Sequence, residues 1–417
     1  MRSLSHVNPQ SFDPSNTPRA HQSTLLNNKK PILPLLALAV SACLYGLHFF
    51  VGGGYERLLT DSQAYLFVAQ GGHMGAPYNV RLFGPFAASL IARLSGISAL
   101  AAFHILTPLV LIGSLILLGR LIRKRGGSVE FQAAVVLALG CALAATFGYI
   151  PVMVDPLLLV LTCLTLVALE SDYLIAAIAC ATLAALTKEY GLFLAFIVFL
   201  VAYRDGRRKL ALIGILLPAV LMFAVMMLNG SGSTSFTVAD WPRFVSAMFG
   251  YHPSLVRFRG WSDYFKLQYM WSWSVLWPIM VIAAVGVVSS LRDRIKMTAS
   301  QIGFAVMLLA TPLLLLGDWG RSLLIAVPFA AIAAASHPLA RDRYFIFLLA
   351  LGGLCTALAR PFHSIPPPPR ALTLAMTAIS VAASLLIATR ILRFSASKTK
   401  SQLDPAMDIP SHEVALP

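Results

Sequence analysis

Residues 155–209 read DPLLLVLTCLTLVALESDYLIAAIACATLAALTKEYGLFLAFIVFLVAYRDGRRK. Three apolar runs fill this stretch, and every charged residue falls where one run meets the next. Asp155 opens the first, Glu170 and Asp172 mark one join, Lys188 and Glu189 mark another, and a basic cluster begins at Arg204. Working outward, the same alternation covers most of the chain. Its 417 residues are 58% hydrophobic and 12% charged, with a mean hydropathy of +0.77. Soluble domains carry roughly 25% charged residues, so a water-soluble protein is excluded. Many segments approach the ~20 apolar residues that cross a bilayer as a helix. The expected fold is an all-α, polytopic membrane protein.

The pattern predicts about twelve transmembrane helices, at 31–51, 97–119, 130–150, 153–169, 172–187, 190–203, 210–228, 271–290, 300–316, 322–339, 343–359 and 371–391. Residues 1–30, polar and rich in Ser, Asn and Pro, read as a disordered cytoplasmic tail, and 392–417 as a second one. Between them lie a membrane module at 31–228 with a first outer loop at 52–96, an outer loop at 229–270, and C-terminal transmembrane helices over 271–391. No cleavage site follows the first apolar run, so it reads as a retained span. The net charge of +15 sits in short clusters between spans, which argues against a nucleic-acid partner. With the N-terminus inside, one side collects about 21 of the 32 Lys and Arg, as the positive-inside rule requires. The turn near Glu170 and Asp172, which has no basic residue of its own, is the local exception. Both termini are then cytoplasmic. The five cysteines, Cys43, Cys141, Cys163, Cys180 and Cys355, all fall within apolar runs and read as small hydrophobes rather than a disulfide or metal framework.

The opposite, outer side holds a short list of acids: Glu56, Asp61, Asp155, Glu189, Asp240, Asp263 and Asp318. Four of the seven sit at outer ends of spans far apart in sequence, with Lys188 and Arg321 beside two of them. In the first outer loop, LLTDSQAYLFVAQ places Asp61 and Tyr65 one helical turn apart on a common face. RLFGPFAASLIARLSG is a second apolar piece too short to span. Two short helices lying in the membrane interface suit both segments.

TDSQAYL, YNVRLFGP, VDPLLL, ALTKEYG and DWGRSLLIAVP, in that order, resemble the GT-C superfamily of membrane glycosyltransferases, which use polyprenyl-phosphate-linked sugars. The resemblance runs over roughly 30–340. It implies a GT-C-like fold, an active site on the outer face, a general-base carboxylate in the first outer loop and an inverting transfer. Many members carry two adjacent acids in that loop; this chain has Asp61, with Glu56 five residues earlier. A large soluble C-terminal domain is not expected, so a monosaccharide transferase is the closer analogy.

Transfer from a polyprenyl phosphate needs a base for the acceptor hydroxyl, positive charge for the departing phosphate and an apolar groove for the isoprenoid. The expected roles are Asp61 as catalytic base; Arg81, Lys188 and Arg321 as donor-phosphate-binding cations; and Tyr65 in support. Asp155, Glu189 and Asp318 orient the cations or bind a divalent cation, Mg or Mn, through oxygen ligands. The partners implied are a polyprenyl-phosphate sugar donor, a lipid or glycan acceptor and membrane lipids, with a bacterial inner membrane as the location.

Each residue also has a plainer role. Asp61 suits a helix cap, and Asp155 before Pro156 suits a cap with a first-turn proline. Lys188 and Glu189 suit a solvated turn, Arg321 with Asp318 a surface pair, and Arg81 a side chain snorkelling to headgroups. His73 and His363 are lone imidazoles without metal spacing. Trp241, Trp261, Trp271 and Trp273 with Tyr251, Tyr264 and Tyr269 suit an interfacial aromatic belt. The competing class is a twelve-helix secondary transporter, or a flippase for lipid-linked sugars. Carriers place ionisable residues near the bilayer midplane, whereas here the charges lie at span ends.

Overall fold

The computed structural model describes residues 32–51, 60–74, 78, 81–148, 150–229, 276–315 and 319–359, with isolated positions between 382 and 393. Among them all regular structure is helical. The order is α1 (Ile32–Val51), α2 (Thr60–Ala69), α3 (Phe83–Ser95), α4 (Ala99–Lys124), α5 (Val129–Leu143), a π-helical turn (Ala144–Gly148), α6 (Asp155–Glu170), α7 (Leu174–Thr187), α8 (Gly191–Arg204) and α9 (Arg208–Asn229). After the 230–275 region come α10 (Trp277–Arg292), α11 (Ala299–Leu315), α12 (Trp319–Ala334), a 3-10 turn (Pro338–Arg341) and α13 (Arg343–Ala359). Each expected span up to residue 359 meets one of these helices within a few residues. The expected span at 371–391 and both tails lie outside the described residues, apart from isolated helical positions in the span.

Among the described residues, four helical segments are long and apolar enough to cross a membrane: Ile32–Val51, Ala99–Lys124, Val129–Gly148 and Arg208–Val225. The remaining apolar helices have 10–17 residues, so a 14-residue helix such as α7 is about 21 Å long at 1.5 Å per residue.

The ends of these helices are set by side chains that the sequence supplies at the right places. Ser98 accepts from the Ala101 amide at 3.1 Å and Ser128 from Phe131 at 3.0 Å, capping α4 and α5. Thr298 and Gln301 form a reciprocal capping box ahead of α11. Asp342 accepts from the amides of Tyr344 and Phe345 to start α13. Inside the spans, hydroxyls return to their own helix. Thr146, Thr162, Thr165 and Thr182 each donate to the carbonyl four residues back at 2.8 Å, so these four hydroxyls are satisfied within their own helices.

Helix α5 is deeply buried. Phe131, Val135, Leu139 and Leu143 are at most 1% exposed, and it packs on α4 and α13. Contact with α13 is close enough that a Cβ on Gly353 would lie 2.6 Å from the Ala138 Cα. Helices α6 to α9 follow as neighbours in sequence order. Helices α1 and α9 are peripheral: only 22% of each apolar window is buried, which leaves the rest for lipid.

At the helix ends that carry the basic clusters, the acidic turn that breaks the charge rule is neutralised by its neighbours. Arg125 from the α4–α5 turn pairs with Glu170, and Lys124 donates to the Glu170 carbonyl at 2.9 Å. From the other side, Arg207 in the α8–α9 turn reaches Asp172 at 2.6 Å. Asp205 is held by Arg204 and by Lys296 from the α10–α11 turn.

The expected pair of short helices in the first outer loop is present as α2 and α3. They pack on each other, and α3 also packs on α4 and α7. On α3, Phe86, Leu90 and Leu94 stay exposed while Gly84, Pro85 and Ala88 are buried. That is the two-faced pattern of a helix at a membrane surface.

Candidate functional site

Four separate pieces of chain deliver polar side chains to one place at the helix ends opposite the basic clusters. Helix α2 brings Asp61 and Tyr65; the segment before α3 brings Tyr78 and Arg81; the start of α6 brings Asp155; the α7–α8 turn brings Lys188 and Glu189. That turn is tight: Lys188 is extended at φ −160°, and the Gly191 amide donates to the Lys188 carbonyl at 2.8 Å. A Cβ on Gly191 would collide with the backbone of Ala184 and Ala185, which explains the glycine in ALTKEYG. The segment 150–154 is anchored from below by Thr107, which donates to the Pro151 carbonyl at 2.6 Å. The Ser62 hydroxyl lies 3.8 Å from the Met153 sulfur.

The centre of the cluster is Arg81. Its Nε and Nη2 donate to the two Glu189 carboxylate oxygens at 2.9 and 2.5 Å, and its Nη1 donates to the Tyr65 hydroxyl at 2.8 Å. A planar guanidinium and a carboxylate meet in this bidentate way when both are held rigidly. Beside it, Lys188 Nζ donates to Asp155 Oδ1 at 2.7 Å and sits 4.8 Å from the centre of the Tyr190 ring. Both pairs are removed from solvent: Arg81 is 6% exposed, Lys188 and Glu189 3% each, and Asp155 1%. Tyr78 donates its hydroxyl to Asp61 Oδ1 at 2.6 Å, and its ring meets Tyr65 edge-on with centroids 5.5 Å apart. Asp61 is half-buried, in contrast to the fully buried Asp155 and Glu189.

Burial pushes the Tyr65 phenol well above its ordinary range; Arg81 opposes this in part, and Asp155 and Asp61 add to it. Tyr65 therefore remains neutral. Burial works against the charge of Arg81, but the Glu189 carboxylate, with the Tyr65 hydroxyl as hydrogen-bond acceptor, outweighs it and holds its pKa well above the usual value. The guanidinium is permanently charged.

Several plainer expectations are corrected by this geometry. Asp155 does not cap α6: Val154 occupies the capping position without a side-chain bond, and the Asp155 carboxylate turns to Lys188 instead. Lys188 and Glu189 are not a solvated turn, and Arg81 does not snorkel to headgroups; all three are buried. Asp61 and Tyr65 share a helix face but serve different partners, Tyr78 and Arg81. Of the expected site residues, Asp61, Tyr65, Arg81, Asp155, Lys188 and Glu189 come together. Asp318 lies outside the described residues, as do Glu56, Asp240, Asp263, His363 and the tryptophans and tyrosines of the 229–270 loop and of positions 271 and 273. The backbone of Arg321 falls in the first turn of α12, a helix that packs on α6; its side chain is outside the described set. His73 is exposed.

Tyr78 is the residue that sequence reasoning missed. It stands three positions before Arg81 in YNVRLFGP, and that proximity to a charged residue was the one available signal. Among the described residues no group of three or more His, Cys, Asp or Glu side chains is gathered tightly enough to hold a metal ion. Asp155 and Glu189 face Lys188 and Arg81, so a divalent ion there would have to displace a buried cation.

Chemically, the arrangement combines one half-exposed carboxylate with two rigid, buried ion pairs at the rim of a membrane protein. No protein-family model, curated protein or solved structure matches the chain.

Proposed function

We propose that the protein is a GT-C-type membrane glycosyltransferase that moves a hexose or pentose from a polyprenyl-phosphate donor to a lipid or glycan acceptor on the outer face of the membrane. The observation that carries this reading is the convergence of Asp61, Tyr65, Tyr78, Arg81, Asp155, Lys188 and Glu189 from four separate segments at one place. Buried ionisable groups in a membrane protein are costly and mark function by default. Asp61, the accessible carboxylate, takes the proton from the acceptor hydroxyl. The acceptor oxygen then bonds to the anomeric carbon as the bond from that carbon to the phosphate oxygen breaks, with inversion. Polyprenyl phosphate leaves. Glu189 and Asp155 orient Arg81 and Lys188, whose remaining N–H groups face the departing phosphate. Arg321, whose backbone lies in the first turn of α12, is the third cation proposed for the donor phosphate. The membrane is the bacterial inner membrane, with both termini cytoplasmic.

A carrier or flippase is the second reading, and the depth of charge weighs against it. The acids, Lys and Arg of the described helices stand at helix ends rather than mid-span, where a transported substrate would bind.

The test uses purified protein in lipid with a panel of polyprenyl-phosphate hexoses and pentoses, and follows release of polyprenyl phosphate by mass spectrometry. Sugar-dependent release in wild type, lost in Asp61→Asn, supports the reading. Lipid binding without turnover of any donor sinks it in favour of the carrier.

A further inference from the structure

We propose that the seam between α8 and α9 binds an anionic phospholipid, with its phosphate on Arg208 and Lys209 and an acyl chain along the aromatic ladder of α8. The basic turn between these helices holds two kinds of cation. Arg204 is paired with Asp205, and Arg207 with Asp172. Arg208 and Lys209, the first two residues of α9, are exposed, and the first turn of that helix supplies no acid. Among the described residues neither forms an ion pair. Uncompensated cations at the end of a spanning helix are what anionic headgroups neutralise.

Beyond that end, one face of α9 is apolar and open. Leu212, Leu216, Val220, Phe223 and Met227 recur at spacings of three and four residues and are 43–60% exposed. Lys209 stands at the head of the same stripe. The opposite face is closed, since a Cβ on Gly214 would touch Val198 of α8 and Ile178 of α7. Helical side chains lean toward the N-terminus, so the Lys209 stem runs past the apolar stripe and carries its charge to headgroup level. From Lys209 to Val220 is about 17 Å at 1.5 Å per residue, close to one leaflet of a hydrocarbon core ~30 Å thick.

Helix α8 contributes the other wall. Phe196 stacks on Phe199 and Phe199 on Tyr203, with ring centroids 6.0 and 5.8 Å apart. The Arg208 guanidinium lies 5.9 Å from the centre of the Tyr203 ring. This ladder therefore leads from the cation about 10 Å into the apolar zone. A soluble anion has no use for the apolar rows. A zwitterionic lipid brings its own positive charge beside Arg208 and Lys209, and a second copy of the chain would have to bring an acid to the same end. An anionic phospholipid matches both the charge and the apolar length, whatever reaction occurs at the opposite helix ends.

The experiment takes full-length protein, purified in detergent and stripped of lipid, as wild type, Arg208→Gln/Lys209→Gln and Arg93→Gln. Each is titrated with phosphatidylglycerol, phosphatidylcholine or glycerol 3-phosphate. Native mass spectrometry counts bound lipid, and the melting temperature is followed in parallel. Wild type should bind phosphatidylglycerol more tightly than phosphatidylcholine and melt higher with it, and the preference should shrink as salt is raised. The double variant should bind phosphatidylglycerol about 30-fold more weakly and lose the preference. Arg93→Gln, which removes an exposed cation from α3, should behave as wild type. Equal binding of the two lipids by wild type, a preference kept by the double variant, or one lost equally in Arg93→Gln overturns the inference. Equal stabilisation by glycerol 3-phosphate overturns the role of the acyl chain, and a wild-type dimer that added lipid does not displace gives the seam to a second copy instead.

Discussion

Removing one partner of the Arg81–Glu189 pair should cost far more than removing both. In Arg81→Met the Glu189 carboxylate, 1% exposed at its side chain, loses both Arg81 N–H donors, and the Tyr65 hydroxyl loses the Arg81 N–H that it accepts. Stranding a buried charge costs about 3–5 kcal/mol, and Glu189→Met, which strands the guanidinium, costs a similar amount. The double variant Arg81→Met/Glu189→Met strands no charge. Methionine fills comparable volume, and only the Tyr65 hydroxyl is left short, at about 1 kcal/mol. The two single costs sum to roughly 6–10 kcal/mol, so the coupling energy should reach about 5 kcal/mol or more. Unfolding in mixed micelles titrated with a denaturing detergent measures all four corners of this cycle. Additive costs, agreeing within about 0.5 kcal/mol, would falsify the pairing.

Gly191→Ala should destabilise the α7–α8 hairpin by about 1–3 kcal/mol, because its Cβ collides with the Ala184–Ala185 backbone; a melting temperature equal to wild type refutes that close approach. Asp205, held by Arg204 and Lys296, has its pKa lowered from 3.8 to about 2. A carboxylate depressed in the folded state stabilises above its unfolded pKa and loses that contribution as pH falls. The stability gap between wild type and Asp205→Asn should therefore be constant above about pH 5 and close between pH 4 and 2; the pair is partly exposed, so the gap stays below about 1 kcal/mol. In a cysteine-free background, a membrane-impermeant maleimide should label His73→Cys in intact cells and Gly206→Cys only after permeabilisation. The reverse pattern would invert the orientation argued from the basic clusters.

Much of this architecture is legible without coordinates, for a simple reason. A bilayer forces every span to be apolar for its length and forces charge to the ends, so helix positions from α1 to α13 and the crowding of acids and cations on the outer side can be read along the chain. Two short helices before α4 are legible for a related reason: each pairs helix-forming residues with too little apolar length to cross. The neutralised turn at Glu170 and Asp172 was not legible, because its counter-charges, Arg125 and Arg207, come from the turns on either side.

The sequence by itself determined the class, the helices and the list of charged residues available to a site. Only the tertiary structure decided who pairs with whom. Lys188 and Glu189 are adjacent, yet one turns to Asp155 and the other to Arg81, 108 residues away. Neighbouring side chains on an extended residue and the turn residue after it point apart, and burial obliges each charge to find an opposite one on another element. Tyr78 had no visible role for the same reason: its hydrogen bond and its aromatic contact exist only where α2 and the segment before α3 are folded together against the α7–α8 turn.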